Sequence, residues 1–241
     1  MEIPLKKHRL PDTELARIAP LAPDARRKAL LKFKNGFPDF SYEPTRRRLP
    51  ELTNAQPSLL SLGDTEWSKI ESGLKRLKNE KEAASNIEVA ELLYNFIREE
   101  KYIAVMEPFG KLQLGAGVAI SYWSDAIFFG PDGPTIFGFD FRRAGGFNDS
   151  ARRFAFSAQH EHIRQRGDDY ATAKLGLVQF PALRNGTRKV RVEFADQVEL
   201  IPYDELIQMA RETYSVWFEI LEQREDEARK TGTGGSWWDG D

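Results

Sequence analysis

Apolar residues recur every three or four positions in several stretches of the chain, which is the spacing of a helix with one buried face. The stretch that begins at Ser85 is the clearest, because Ser85 and Glu88 form a capping box ahead of Ala90, Leu93 and Ile97. The pattern as a whole predicts two short helices within residues 12–36, a weak one over 65–80, and longer ones over 85–100, 149–164 and 205–230.

Continuous or alternating apolar runs predict strands between and after these helices, over residues 112–122, 123–129, 135–142, 174–180, 188–194 and 197–201. The middle of the chain then reads helix, three strands, helix, strand, which is typical of an α/β or α+β fold. We expect a central mixed sheet with flanking helices, a helical N-terminal arm and a long C-terminal helix.

The chain divides into three regions that differ in composition. Residues 1–64 are expected to form a basic helical arm followed by a linker, because residues 37–64 contain four prolines. Residues 65–230 hold the predicted α/β domain, and residues 231–241 form a Gly-rich acidic tail with Trp237 and Trp238.

Composition narrows the chemistry that the chain can carry. It has no cysteine and three histidines, which excludes disulfide scaffolds, thiolate zinc sites and cysteine nucleophiles. A metal would therefore sit on carboxylates, which suits Mg²⁺ or Mn²⁺. No apolar run approaches twenty residues, so we expect a cytoplasmic protein without a membrane partner.

The net charge of −2 hides a strong separation of charge along the chain. Residues 1–57 hold 12 basic and 7 acidic side chains, and residues 140–192 hold 11 and 5. Residues 193–241 reverse the balance, with 4 basic and 13 acidic side chains. Such asymmetry is typical of an anionic partner or a charged interaction tail, although clustered solvated faces would produce it as well.

Two carboxylates stand out in the predicted hairpin around residues 130–134. With Asp132 and Gly133 at the tip of a two-residue turn, Asp125 falls opposite Asp140 on the next strand. Strand alternation places Asp140 and Arg142 on one face of the sheet. Opposed carboxylates repel each other, so this arrangement predicts either a divalent metal or a neighbouring arginine that offsets the repulsion.

These residues resemble the motif of the PD-(D/E)XK nuclease superfamily, which has an acid on the second strand and Asp/Glu-x-Lys on the third of an αβββαβ core. The resemblance covers residues 85–180 and implies that Asp125 and Asp140 hold Mg²⁺ or Mn²⁺, with Glu91 in support. Arg142 stands where that family has lysine. Arginine keeps its proton, so the resemblance gives it a role in stabilising phosphate and not in deprotonating water.

Basic residues in three places are candidates for contact with a nucleic-acid backbone, with DNA as the expected partner. They are Arg143, Arg152 and Arg153 around a glycine pair, Arg46, Arg47 and Arg48 in the arm, and Arg188 and Lys189 after a turn. For those near the glycine pair, an internal network that anchors Asp140 and Asp149 is an equally good interpretation.

The sequence is compatible with two functions. The first is a metal-dependent nuclease-like hydrolase that cuts or binds DNA phosphodiesters. The alternative is an inactive nuclease-fold adaptor or DNA-binding subunit, recruited to a larger complex by protein–protein interaction through Trp237 and Trp238. The apolar stripe of the last helix is typical of a core face or of a homodimer seam.

Overall fold

The computed structural model describes residues 9–33, 41–55, 65–115 and 117–230. Its strands are β1 (Ile103–Met106), β2 (Leu112–Gln113), β3 (Ala119–Ile120), β4 (Ala126–Gly130), β5 (Gly133–Asp140), β6 (Lys174–Gln179) and β7 (Arg191–Phe194). Five of them form one mixed sheet in the order β1-β4-β5-β6-β7, and β2 and β3 form a separate hairpin.

The helices of the described residues surround this sheet. They are α1 (Asp12–Ile18), α2 (Pro23–Lys32), α3 (Glu43–Arg47), α4 (Leu49–Leu52), α5 (Trp67–Leu74), α6 (Glu80–Glu99), α7 (Asp149–Ile163), α8 (Asp168–Ala171) and α9 (Tyr203–Lys230). The predicted mixed α/β class, with short N-terminal helices and a long C-terminal helix, is confirmed.

The order of a helix, three antiparallel strands, a helix and a further strand is also confirmed. Strands β1, β4 and β5 pair in antiparallel fashion, and α7 leads to β6, which lies parallel to β5. The first of the three strands is β1, however, and not the predicted run over 112–122. That run contains Gly115 at φ +78° and Gly117 at φ +75°, and it folds back on itself as the β2–β3 hairpin.

The predicted linker is a packed structure where it is described. Pro44 and Pro50 each occupy the first turn of a short helix, where a missing N–H is tolerated. Thr45 is buried, and its hydroxyl donates to Asn86 Oδ1 of α6 at 2.7 Å. The expected start of α6 at Ser85 and the expected strand over 197–201 are wrong as well, since Asn79 caps α6 and a 3₁₀ turn occupies Ala195–Gln197.

The sheet separates two apolar clusters. One lies between the sheet and α1, α2, α7 and α9, and it includes Phe154 and Trp217. The other lies between the sheet and α4, α5 and α6, and it includes Leu93. Successive side chains of β5 point to opposite faces of the sheet, so Ile136 belongs to the first cluster and Phe137 to the second.

A glycine in β5 allows a close approach between the sheet and the chain that precedes β4. A Cβ at Gly138 would overlap the backbone oxygen of Tyr122 and lie 3.0 Å from Leu177 Cδ2. We therefore expect Gly138→Ala to lower the free energy of unfolding by about 2 kcal/mol, as measured by urea denaturation. Gly167→Ala is the matched control, because a Cβ there meets nothing within 4 Å. Equal effects of the two substitutions would contradict this account.

Candidate functional site

The register of the β4–β5 hairpin determines where the two predicted catalytic acids lie. Gly130 pairs with Gly133 and Phe128 with Thr135, so the expected pairing of Asp125 with Asp140 is wrong by two residues. In the expected register Pro131 would face Pro134, and neither proline has an N–H to donate to the ladder. Asp140 instead pairs with Gln179 of β6.

Asp140 and Arg142 form a bidentate ion pair at the end of β5. Arg142 Nε donates to Asp140 Oδ1 and Arg142 Nη2 to Asp140 Oδ2, both at 2.8 Å. Arg142 Nη1 donates to Glu14 Oε1 of α1, also at 2.8 Å. Burial on its own lowers the pKa of Arg142, but the hydrogen bonds and charges of Asp140 and Glu14 outweigh it and raise that pKa above its ordinary value. The three side chains tie α1 to the sheet.

Two buried amides lie on the side of the sheet that faces α7. Gln179 Oε1 accepts from the Phe147 backbone N–H at 3.1 Å, and Gln159 Nε2 of α7 donates to the Tyr122 carbonyl at 2.7 Å. Within the described residues, Gln159 Oε1 and Gln179 Nε2 have no hydrogen-bond partner. Gln159 therefore orders the chain before β4, a role that its position on the predicted helix did not reveal.

Asp125 and Glu91 take no part in the ion pair between Asp140 and Arg142. Asp125 is exposed, and its Oδ1 accepts from the Phe109 backbone N–H at 3.1 Å. Glu91 is exposed on α6. Among the described residues, no three histidine, aspartate or glutamate side chains are grouped so that they could hold a metal ion.

Three of the predicted nucleic-acid contacts are engaged in bonds within the protein. Arg152 forms an ion pair with Glu193 at 2.6 Å, and Arg153 forms one with Glu199 at 3.2 Å. The Arg188 side chain is fully buried. It donates to the Phe180 carbonyl at 2.8 Å, to the Tyr42 hydroxyl at 3.0 Å and to the Phe141 carbonyl. These hydrogen bonds of Arg188 link the ends of β5 and β6.

The other predicted nucleic-acid contacts fall into two groups. Three are bonded within the chain, namely Arg47 to Glu43, Arg48 to Glu51 and Arg143 to the Gly186 carbonyl. Arg46 and Lys189 are exposed, and neither forms an ion pair with a described residue. Arg46 lies over the ring of Phe141, with its Cζ 5.9 Å from the ring centroid. Contact of these residues with nucleic acid stays a prediction.

A feature that the sequence did not predict is a cavity of about 480 Å³ between the residues that precede β4 and the end of β5. Strand pairing stops at Phe128 and Thr135, and Ser124 N–H bonds the Phe137 carbonyl just beyond. The cavity is lined by the aromatic side chains of Tyr122, Trp123 and Phe139 and by the basic side chains of Arg9, Arg46 and Lys111. No short motif unites these residues, which come from four distant parts of the chain.

Trp237 and Trp238, the predicted protein contacts, lie outside the described residues. Over the described part of the chain, the helices are all too short or too polar to cross a membrane.

Comparison with known proteins changes the family assignment. No solved structure matches the chain. A protein-family model described as "Sliding clamp-binding bacterial toxin SocB" matches residues 13–227. The assignment to the PD-(D/E)XK nucleases is therefore wrong, and the nuclease, hydrolase and magnesium predictions that rested on it lose their support. Since the match spans most of the sequence, the chain belongs to the SocB family of sliding clamp-binding bacterial toxins.

Proposed function

We propose that this chain is a toxin that acts by binding a bacterial sliding clamp. The observation that carries the proposal is the family match over residues 13–227, because the family is described by that partner. It agrees with the adaptor interpretation of the sequence, in which the protein works by binding another protein. DNA would then come close to the chain through the clamp.

The residues to which the nuclease resemblance gave catalytic roles have structural contacts in this fold. Asp140 accepts from Arg142 through both carboxylate oxygens, and Arg142 also bonds Glu14. Arg188 and Arg152 likewise satisfy internal acceptors. These charged residues therefore have a structural role that accounts for their presence in the sequence, and the fold that they stabilise would present a surface to the clamp.

Two stretches outside the described residues carry large apolar side chains in a short sequence. Trp237 and Trp238 lie in the tail, and Leu59, Leu60 and Leu62 lie within residues 56–64. A few large apolar side chains commonly dominate the energy of a protein interface. The family match includes residues 56–64 and ends before the tail, which favours the leucines over the predicted tryptophans as the clamp contact.

Surface plasmon resonance with an immobilised bacterial sliding clamp tests the proposal. We expect the full chain to bind saturably with a dissociation constant of about 10 μM or below, within the range of specific protein complexes. Absence of saturable binding at about 100 μM chain would contradict it.

Two paired substitutions locate the contact in the same measurement. Leu59→Ala with Leu60→Ala is expected to weaken clamp binding by about tenfold or more, because truncating a dominant contact costs at least 1–2 kcal/mol. Trp237→Ala with Trp238→Ala is expected to leave it within about twofold, a change of less than 0.5 kcal/mol. The reverse order would place the contact in the tail, as the sequence first indicated.

A further inference from the structure

The cavity between the residues that precede β4 and the end of β5 has the size and composition of a ligand site. Its volume of about 480 Å³ lies within the range of small-molecule pockets. Such pockets combine apolar and aromatic walls with a few polar groups that orient the ligand. Nothing in clamp binding requires a cavity of this kind, so a ligand of the cavity is independent of the proposed function.

The aromatic wall of the cavity is held in one arrangement. The Trp123 ring stacks on His162 with 4.5 Å between ring centroids, and its Nε1 donates to the Gly110 carbonyl at 3.0 Å. Phe139, which also lines the cavity, stacks on Phe141 with 6.1 Å between ring centroids. Fixed rings lose little conformational entropy when a ligand packs against them, so the wall is preorganised for a planar group.

Positive charge dominates the polar part of the lining. Arg9 is already paired with Asp12, which also accepts from the Ser121 N–H at 3.1 Å. Arg46 and Lys111 are exposed and have no ion-pair or side-chain hydrogen-bond partner among the described residues. Two cations at the lining are thus uncompensated, which favours an anionic group.

The carboxylate of a neighbouring cavity does not line this one. Asp125 lines a neighbouring cavity of about 330 Å³, which shares Arg46, Trp123 and Phe139 with the first. Asp12 is the carboxylate that lines the first cavity, and it is already engaged by Arg9. The uncompensated positive charge of the lining is therefore that of Arg46 and Lys111.

We infer that this cavity binds a small planar aromatic anion, a ring that carries a phosphate or a carboxylate. The ring packs against Trp123 and Phe139, and the anionic group accepts from Arg46 and Lys111. A nucleoside monophosphate and an aromatic carboxylic acid share this chemistry, and titration with one of each distinguishes them.

Isothermal titration calorimetry on the full chain tests the inference with four probes. AMP and indole-3-acetate carry both a ring and an anion, adenosine lacks the anion, and inorganic phosphate lacks the ring. We expect AMP or indole-3-acetate to bind with a dissociation constant below about 1 mM, and at least tenfold more tightly than adenosine and phosphate. Whichever of the first two binds more tightly identifies the anionic group.

Single substitutions tie the binding to the cavity. Arg46→Ala and Lys111→Ala are each expected to weaken it about tenfold, since each removes one charge-assisted hydrogen bond. Arg47→Ala is the matched control, because Arg47 is the next residue, pairs with Glu43 and does not line the cavity. Binding by none of the ring-bearing anions would overturn the inference. Equal binding of adenosine or phosphate, or an equal loss in Arg47→Ala, would overturn it too.

Discussion

Replacing Asp140 with alanine is expected to lower the free energy of unfolding by about 3 kcal/mol. The Asp140 side chain is 1% exposed, and both of its oxygens accept from Arg142. Without it, the guanidinium keeps Glu14 as its acidic partner but remains largely removed from water with two donors unpaired. Urea denaturation monitored by circular dichroism measures the change.

Two further substitutions show that the effect comes from the buried ion pair. Asp140→Asn keeps the shape of the side chain and removes its charge, so we expect a loss between that of alanine and zero. Asp125→Ala removes an exposed carboxylate with one backbone partner, and we expect a loss below about 1 kcal/mol. Losses of the same size for Asp125→Ala and Asp140→Ala would contradict the structural role of Asp140.

Arg188→Ala is expected to lower the free energy of unfolding by about 3 kcal/mol as well. The substitution leaves the carbonyls of Phe141 and Phe180 without the donors that satisfy them and opens a cavity in the place of a fully buried side chain. Because these carbonyls follow β5 and β6, we also expect faster amide hydrogen exchange at the ends of both strands.

Lys189→Ala is the matched control for Arg188. Lys189 is the next residue and is exposed, so we expect a change within about 0.5 kcal/mol. An Arg188→Ala variant that unfolds at the same urea concentration as Lys189→Ala would contradict the assigned role of the buried guanidinium.

The elements with a strong apolar period were predictable from the sequence, and the short or irregular ones were not. The stripe of α9 and the continuous apolar run of β6 depend on local spacing alone. Strand β1 has four residues, and only Ala104 among them is buried. Its place in the sheet depends on pairing with β4, which no local pattern reveals.

The candidate site was not predicted correctly because it depends on contacts between residues that are far apart in the sequence. Asp140 and Arg142 were correctly placed on one face, but the partner that completes their ion pair, Glu14, is 128 residues away in the chain. The turn that sets the β4–β5 register depends on Pro131 and Pro134, whose missing donors outweigh the usual preference for Asp-Gly at a turn tip. The spacing of residues in the sequence therefore indicated which charged residues belong to the site, but not which contacts they make.

The element order explains why a nuclease resemblance arose on a protein of another family. The helix, three strands, helix and strand are present, and the short acidic motif lies on β5. Fold and function are separable, because one arrangement of elements supports many activities. In this chain the motif residues form a structural ion pair, and the family match carries the functional conclusion.

The most direct test of that conclusion is the molar mass of the complex formed by the purified full chain and a purified bacterial sliding clamp. Size-exclusion chromatography with light scattering is predicted to show one peak that contains both proteins and exceeds the mass of the clamp alone. Separate elution of the two proteins at their individual masses, with each at about 50 μM, would contradict the account.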